Sequence, residues 1–93
     1  MSRPLMSDSD RADAFRGVAH PLRRKILRLL DQQEHTVSEL LGATGAQATA
    51  MSQHLAVLRE TGLVTHRTRG PRRYYRLKRS ALRRVITWAN QFK

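Results

Sequence analysis

Apolar residues recur at helical spacing within residues 48–60, where the pattern is most informative. Met51, Leu55 and Leu58 follow one another at i, i+4 and i+7, which places them on one face of a helix. The opposite face carries short side chains without charge, namely Thr49, Ser52, Gln53 and Ala56. Hydroxyl and amide groups of this kind suit hydrogen bonding to base edges in a DNA groove, and a weakly polar surface helix is the alternative.

Two helices are predicted nearer the start of the chain. Asp8 or Ser9 can cap the first, which we expect to run to about Val18. Pro21 can occupy the first position of the second helix, where its missing N–H is not needed. The apolar stripe of the second helix comprises Leu22, Ile26, Leu29 and Leu30. The basic residues beside that stripe are Arg23, Arg24, Lys25 and Arg28. They form either a solvated face or a set of phosphate contacts.

A polar connection, residues 31–35, leads into a predicted third helix. Thr36 and Glu39 have the spacing of a capping box, in which each side chain bonds the other residue's N–H, and residues 42–45 should stop the helix. Two short helices joined by a tight turn, with the second polar on its outer face, form the helix-turn-helix pattern. Gly62 is expected to cap the second of these helices at its C-terminal end.

The next two apolar and basic stretches predict a β-hairpin. Residues 64–69 and 72–77 are rich in β-branched, aromatic and long basic side chains, and Gly70-Pro71 separates them. The arginines at the tip or just behind it are Arg67, Arg69, Arg72 and Arg73. A charged edge discourages aggregation between strands, but four arginines exceed that need. We therefore expect contacts with the DNA backbone or minor groove.

The last predicted helix, which Ser80 can cap, is apolar over a wider arc than contact with one core requires. Its apolar residues are Ala81, Leu82, Val85, Ile86, Trp88, Ala89 and Phe92. We expect one side of the helix to pack on its own domain and the other on a second copy of the chain. An amphipathic helix lying on a membrane is the alternative.

Length and charge narrow the class of partner. The 93 residues are enough for one small domain with a thin core. Net charge is +11, from 18 Lys and Arg against 7 Asp and Glu, which favours a polyanionic partner and nucleic acid first. No acidic residue follows Glu60, so the positive charge is concentrated beside the neutral helix and not on it.

No pattern in the sequence supports catalysis or a cofactor. It has no Gly-rich phosphate loop, and the four histidines, His20, His35, His54 and His66, lack metal-ligand spacing. The absence of cysteine excludes a disulfide and a thiolate metal site. No apolar run approaches the roughly 20 residues that span a bilayer, and residues 1–8 lack the apolar core of a signal peptide. We therefore expect a cytoplasmic protein without a membrane partner.

Four segments together resemble the ArsR/SmtB-type winged helix-turn-helix repressors. They are residues 19–27 (AHPLRRKIL), 36–40 (TVSEL), 51–64 (MSQHLAVLRETGLV) and 72–77 (RRYYRL). The order and spacing of these segments make the match specific, and it runs from about Ala14 to Leu82 or beyond. The resemblance implies a bacterial or archaeal homodimer whose helix-turn-helix enters the major groove of double-stranded DNA.

The resemblance also implies roles for individual residues. The positions that contact DNA at the start of the recognition helix are Gln47, Thr49, Ser52, Gln53 and His54. The wing contacts fall on Arg67, Arg69 and Arg72. The first and last helices of the family form the dimer interface, which here corresponds to Phe15, Leu82, Val85, Ile86, Trp88, Ala89 and Phe92.

The sequence departs from the family in its turn and in its sensing positions. Gln47 stands where the family often has a Ser that caps the recognition helix, so we expect no side-chain cap and a looser turn here. Metal-responsive members commonly carry a Cys pair that aligns with Thr36 and Ser38, or Asp and His ligands on the last helix. Residues 80–93 contain no Asp, Glu, His or Cys. Neither usual metal site is present.

These observations predict a mainly α fold with a small β-hairpin, an α+β winged helix-turn-helix that dimerises through its first and last helices. Residues 1–8 should be a flexible tail and residues 9–93 the DNA-binding domain. The expected function is sequence-specific transcriptional regulation, as a homodimeric repressor that binds an inverted-repeat operator, with an unknown small molecule as a further partner. A non-specific nucleic-acid-binding or nucleoid-type protein, and a protein-interaction module of the same fold, are the alternatives.

Overall fold

Five helices and a three-stranded antiparallel sheet make up the structure, a computed structural model that describes the backbone of residues 8–92 and the side chains of residues 13–92. In chain order the elements are α1 (Asp8–Val18), α2 (Pro21–Gln32), β1 (His35–Thr36), α3 (Val37–Thr44), α4 (Ala48–Glu60), β2 (Val64–Arg69), β3 (Arg72–Leu77) and α5 (Arg79–Ala89). The bounds predicted for α4, β2 and β3 are confirmed. The expected tail lies outside the described residues except for Asp8, which begins α1.

Local signals in the sequence set the ends of α3 and α4. The Thr36 hydroxyl accepts a hydrogen bond from the Glu39 N–H at 3.2 Å, and the Glu39 carboxylate accepts one from the Thr36 N–H at 2.8 Å, which confirms the capping box. α4 ends in a Schellman motif, in which Leu63 N–H donates to the Leu58 carbonyl and Gly62 has a φ of +77°. Leu63 thereby folds back onto the helix end and is fully buried.

The sheet has the strand order β1-β3-β2. β2 and β3 form the predicted hairpin, whose register runs from Val64 opposite Leu77 to Arg69 opposite Arg72. β1 was not predicted. Its backbone pairs with β3, and His35 is buried. The prediction of a polar connection over residues 31–35 is therefore wrong at both ends, because Asp31 and Gln32 belong to α2 and His35 to β1. A two-residue strand has no periodicity of its own, and pairing with a distant strand defines it.

The core lies between the helices and the inner face of the sheet. The largest fully buried side chains are Ile26, Leu40, Met51, Leu58, Leu63 and Val64. On α2 the buried positions also include Leu27 and Leu30, whereas Leu22 and Leu29 are only partly buried, so the predicted stripe is shifted. The reason is that α2 packs against α1, α3, α4 and β3 at once and therefore buries a wider face.

α1 and α5 pack together at one side of this core. The Phe15 and Trp88 rings meet edge to face with their centroids 4.8 Å apart. The predicted Ser80 cap of α5 is wrong, because Lys78 holds the N-cap position and makes no side-chain capping bond. Lys78 N–H donates to the Leu63 carbonyl at 2.8 Å, which fixes the chain there and starts the helix at Arg79. Within residues 8–92, no helix is long and apolar enough to cross a membrane.

Candidate nucleic-acid interface

From Ala48 to Ala56 the outward face of α4 is uncharged, as the sequence predicts. Met51, Leu55 and Leu58 are buried beneath it. The exposed uncharged residues on the opposite side are Gln47, Ala48, Thr49, Ser52, Gln53 and Ala56. Arg59 and Glu60 in the last turn are also exposed, and Glu60 pairs with Arg16 at 3.2 Å. The hydroxyl and amide groups of this face can each donate and accept hydrogen bonds, so the face can bind either donors or acceptors on a partner.

The turn before α4 is held by Thr44, and Gln47 takes no part in it. Gln47 occupies the N-cap position of α4 but makes no side-chain capping bond, as the sequence predicts. Thr44 instead donates its hydroxyl to the Leu40 carbonyl at 2.7 Å and accepts from the Ala46 N–H at 3.2 Å. Gly45 follows α3 in the left-handed conformation, with a φ of +70°. The Gln47 side chain is consequently free of local bonds and exposed.

The hairpin β2–β3 projects two arginines from its tip. Arg69 and Arg72 are cross-strand neighbours on either side of the two-residue turn, and both are exposed. Gly70 permits the turn with a φ of +60°. Among the described residues, neither arginine forms an ion pair or a side-chain hydrogen bond, so both guanidinium groups are available to an anion.

Arg67 is placed differently from the two tip arginines. Its Nε and one terminal nitrogen donate to the same carboxylate oxygen of Glu34, at 3.2 and 3.0 Å. Arg76 approaches the other oxygen of Glu34 at 3.7 Å, and the Arg67 guanidinium lies 6.0 Å from the centre of the Tyr74 ring. The sequence places Arg67 just behind the tip as a wing contact, but in the structure Glu34 neutralises it near the middle of the hairpin.

Two arginines of α2 are engaged with the end of α1. Arg23 donates to the carbonyl oxygens of Gly17 and Arg16, at 3.0 and 2.8 Å, and Arg24 donates to the carbonyl of Val18 at 2.8 Å. For Gly17 and Val18 these bonds satisfy carbonyls that the C-terminus of a helix leaves without partners, and the Arg16 carbonyl also accepts from the Ala19 N–H at 3.3 Å. The sequence left open whether this basic cluster is solvated or binds phosphate, and for Arg23 and Arg24 the structure shows an internal role.

His54 lies beside the uncharged face and contacts α2. An Arg23 guanidinium nitrogen lies 3.2 Å from His54 Nδ1, and the His20 and His54 ring centroids are 4.3 Å apart. His20 also caps α2, because its Nδ1 accepts a hydrogen bond from the Leu22 N–H at 3.0 Å. Burial, then the neighbouring His20 and Arg23, lower the pKa of His54 below 6.5. The ring is therefore neutral at physiological pH.

The other two histidines lie in strands of the sheet, His35 in β1 and His66 in β2. His35 is buried, and its Nδ1 lies 2.8 Å from the Gln33 carbonyl. The His66 ring lies 5.3 Å from that of Tyr75, and burial, with Arg59 and Arg73 nearby, lowers its pKa. No three His, Asp or Glu side chains within the described part of the chain lie together as metal ligands would.

The family can be assigned from the middle of the chain. Residues 20–66, which span the helix-turn-helix and the start of the hairpin, match the family described as bacterial regulatory protein, arsR family. The chain belongs to the arsR family.

Relatives and solved structures agree with this assignment. The arsR-family chain is 41% identical over 61 residues to an HTH-type transcriptional regulator of Mycobacterium tuberculosis strain H37Rv, a match that covers 64% of this chain and 54% of the relative. The chain thus spans about half the length of that curated relative. It is 30% identical to the crystal structure of the transcriptional repressor BigR from Xylella fastidiosa, with a TM-score of 0.72 and coverage of 91% and 88%.

A third similar structure is a homodimer. It is the winged helix-turn-helix DNA-binding domain of a possible ArsR-family transcriptional regulator from Mycobacterium bovis, solved by NMR. The two chains are 31% identical with a TM-score of 0.76, and the match covers 95% of this chain and 87% of that one. The predicted fold class, a winged helix-turn-helix with a small sheet, is confirmed.

One of the two positions at which the family resemblance implies metal ligands has a structural role in this arsR-family chain. Thr36 is the N-cap of α3. Its two hydrogen bonds hold the pKa of the Glu39 carboxyl below 4.5. Ser38 is exposed in the first turn of the same helix. Replacing Thr36 by a residue without a capping side chain, such as Ala, would therefore disturb the start of the helix-turn-helix.

Proposed function

We propose that this chain is a sequence-specific DNA-binding transcriptional regulator that acts as a homodimeric repressor on an inverted-repeat operator in the cytoplasm. The observation that carries the proposal is the juxtaposition of an uncharged, hydrogen-bonding helix face with an arginine-tipped hairpin. The face is suited to reading base edges, since its amide and hydroxyl groups carry both donors and acceptors. The tip is suited to phosphates, because Arg69 and Arg72 have no acidic partner among the described residues.

The two parts would divide affinity and specificity between them. Phosphate contacts position a protein on DNA without reading its sequence, and they make affinity depend on salt. We assign this role to Arg69 and Arg72, with Arg67 contributing less because Glu34 neutralises it. Base contacts are assigned to Gln47, Thr49, Ser52 and Gln53, and a phosphate contact to His54 at the edge of the face. Gln53 opposite adenine is the pairing we favour.

The dimer would form through α1 and α5. Phe15, Trp88 and Phe92 form a continuous aromatic cluster in one chain, with successive ring centroids 4.8 Å apart. Ile86 and Phe92 are 51% and 69% exposed, which is unusual for large apolar side chains of a small domain. A second copy would cover them together with Leu82, Val85 and Ala89. The homodimeric state of the similar Mycobacterium bovis domain supports dimerisation itself.

Selection of bound fragments from random-sequence DNA tests the function. A two-fold dimer should enrich an inverted repeat whose half-sites lie about 10–10.5 base pairs apart, or a multiple of that spacing. Binding without an enriched motif would favour a nucleoid-type protein. Absence of binding would favour a protein-interaction module.

We further propose that the protein acts by binding and not by catalysis. Its occupancy of the operator would be controlled by its own abundance or by a small molecule that releases it from the DNA. Thr36 caps α3, so the usual thiolate position serves a different purpose. Titration of the operator complex with a dialysed and an undialysed cell extract separates the two signals. Release by the undialysed extract alone indicates a small molecule, and occupancy that follows only protein concentration indicates abundance.

A further inference from the structure

One guanidinium group connects α1, α2 and α4. Arg23, on α2, donates Nε–H to the Gly17 carbonyl at 3.0 Å and a terminal N–H to the Arg16 carbonyl at 2.8 Å, both at the end of α1. Its other terminal nitrogen lies 3.2 Å from Nδ1 of His54, on α4. Arg23 is partly buried, so its planar group is held by these three contacts. An exposed surface arginine would lack such fixed geometry.

The chemistry of this contact determines where His54 carries its proton. A guanidinium can only donate hydrogen bonds, so His54 Nδ1 must be the acceptor. A neutral imidazole with an unprotonated Nδ1 carries its proton on Nε2. The ring is thus left with one fixed donor, the Nε2–H, on a residue next to the uncharged face of α4.

The groups around His54 favour the neutral form of its ring. His20 Nδ1 also accepts a hydrogen bond, from the Leu22 N–H, and its ring lies against His54. The charged or titratable groups that act on His54 are His20 and Arg23, both of which disfavour a second proton on it. The ion-pairing groups farther along this contact, Arg16 on α1 and Glu60 on α4, bind each other at 3.2 Å.

We propose that Arg23 is a positioning residue for DNA binding: it holds His54 in the Nε2–H form, as a neutral donor to a backbone phosphate, and fixes the recognition helix to the end of α1. This inference rests on the proposed function. It gives α2 a part in DNA recognition although Arg23 itself makes no DNA contact. It also links the helix expected at the dimer interface directly to the helix expected in the groove.

NMR of the free protein tests the proton position without DNA. In the wild type, the ¹⁵N shifts of His54 should report a protonated Nε2 and an unprotonated Nδ1, and the pKa of the ring should lie below 6.5. In Arg23→Gln the pKa should rise and the preference for Nε2–H should weaken. Arg24→Gln is the matched control, because Arg24 also caps α1 and carries the same charge but bonds Val18. It should leave the His54 signals in place. A wild-type ring protonated on Nδ1 would overturn the proposal.

A double-mutant cycle on the selected operator tests the action through His54. Arg23→Gln and His54→Ala should each weaken binding roughly tenfold or more, as expected when a hydrogen bond to a charged group is removed. The double variant should bind no more weakly than about the weaker single variant, because both substitutions remove the same interaction with DNA. The effects of Arg24→Gln and His54→Ala should multiply. Multiplying effects for Arg23 and His54 would contradict a positioning role. If the wild type bound no DNA, the proposed function would fail, and the NMR result would still decide the Arg23 contact.

Discussion

Arg67 donates two hydrogen bonds to a single carboxylate oxygen of Glu34, across 33 residues of sequence. This pair separates the arginines of the hairpin into two kinds. Arg67 and Arg76 share the charge of Glu34, whereas Arg69 and Arg72 at the tip have no acidic partner among the described residues. Net charge alone therefore overstates how much of the hairpin is available to phosphate.

The paired substitution of Arg69 and Arg72 by Ala should weaken binding to all DNA sequences. The slope of log affinity against log salt should become shallower by about 0.9 for each phosphate that the variant no longer neutralises. Arg67→Ala should change the slope less, since its charge is already compensated. Fluorescence anisotropy, measured over a series of salt concentrations, gives both slopes. An unchanged slope in the Arg69 and Arg72 double variant would refute the assignment of the tip.

Glu34→Gln provides the complementary test of the hairpin charges, because it frees Arg67 and Arg76. Affinity for random DNA should increase and the salt slope should steepen. Asp31→Asn is a suitable control, since it removes one negative charge from a pair with Arg79 and not from the hairpin. Equal effects of the two variants would mean that only total charge matters.

Gly17 permits the close approach of α1 to the end of α4. A Cβ atom at this position would overlap Leu63 and lie 2.9 Å from the Thr61 hydroxyl oxygen. Gly17→Ala should therefore lower the free energy of unfolding by about 1–3 kcal/mol, although alanine is the better helix former. Gly42→Ala, also within a helix, meets nothing within 4 Å. It should instead stabilise by about 0.5–1 kcal/mol. Urea unfolding of both variants measures the two changes in the free energy of unfolding. Stabilisation by Gly17→Ala would contradict the packing described.

Stability should fall as the pH drops below about 6.5. Burial and cationic neighbours lower the pKa of both His54 and His66 in the folded chain. Between the unfolded value of 6.5 and the lower folded value, the unfolded chain binds more protons, so acid favours unfolding. The Glu39 carboxyl titrates below 4.5 and does not contribute in this window. Thermal unfolding at one pH above 6.5 and one below it measures the effect. Replacement of His54 and His66 by Gln should reduce the difference in stability between the two pH values. Greater stability at the lower pH would count against both assignments.

The exposed apolar side of α5 predicts a dimer that one charge can disrupt. Ile86→Asp should weaken self-association by about 2 kcal/mol or more, because it places a charge in an apolar contact. Thr87→Asp makes the same change at an exposed neighbour outside the proposed interface. Sedimentation at micromolar concentration should give a dimer for the wild type and Thr87→Asp and a monomer for Ile86→Asp. A monomeric wild type would contradict the interface.

Local signals made much of the fold predictable from sequence. The capping box at Thr36, the glycine after α4 and the Gly70-Pro71 turn each act within a few residues, and the elements they delimit were predicted correctly. β1 was missed because its two residues are ordered by pairing with β3, which lies far along the chain. The α5 cap was misplaced because a bond from Lys78 to the distant Leu63 sets the start of the helix.

The candidate site was predicted less completely than the fold. The uncharged face of α4 follows from helical periodicity, and the arginine-tipped turn follows from composition. The internal roles of Arg23, Arg24 and Arg67 depend on carbonyl or carboxylate groups brought in by tertiary contacts, so no local spacing reveals them. Helix propensity alone predicts that Gly17 weakens α1. Its role in close packing is evident only from the approach of Leu63 and Thr61.

The central claim is that the uncharged face of α4 reads bases while the wing arginines supply affinity. The most direct test compares the binding of wild type and Gln53→Ala to the selected operator, to its single-base variants and to random DNA. The account predicts a loss of about 1–3 kcal/mol on the operator, relaxed preference at one base pair and unchanged binding to random DNA. An equal loss on operator and random DNA would contradict it.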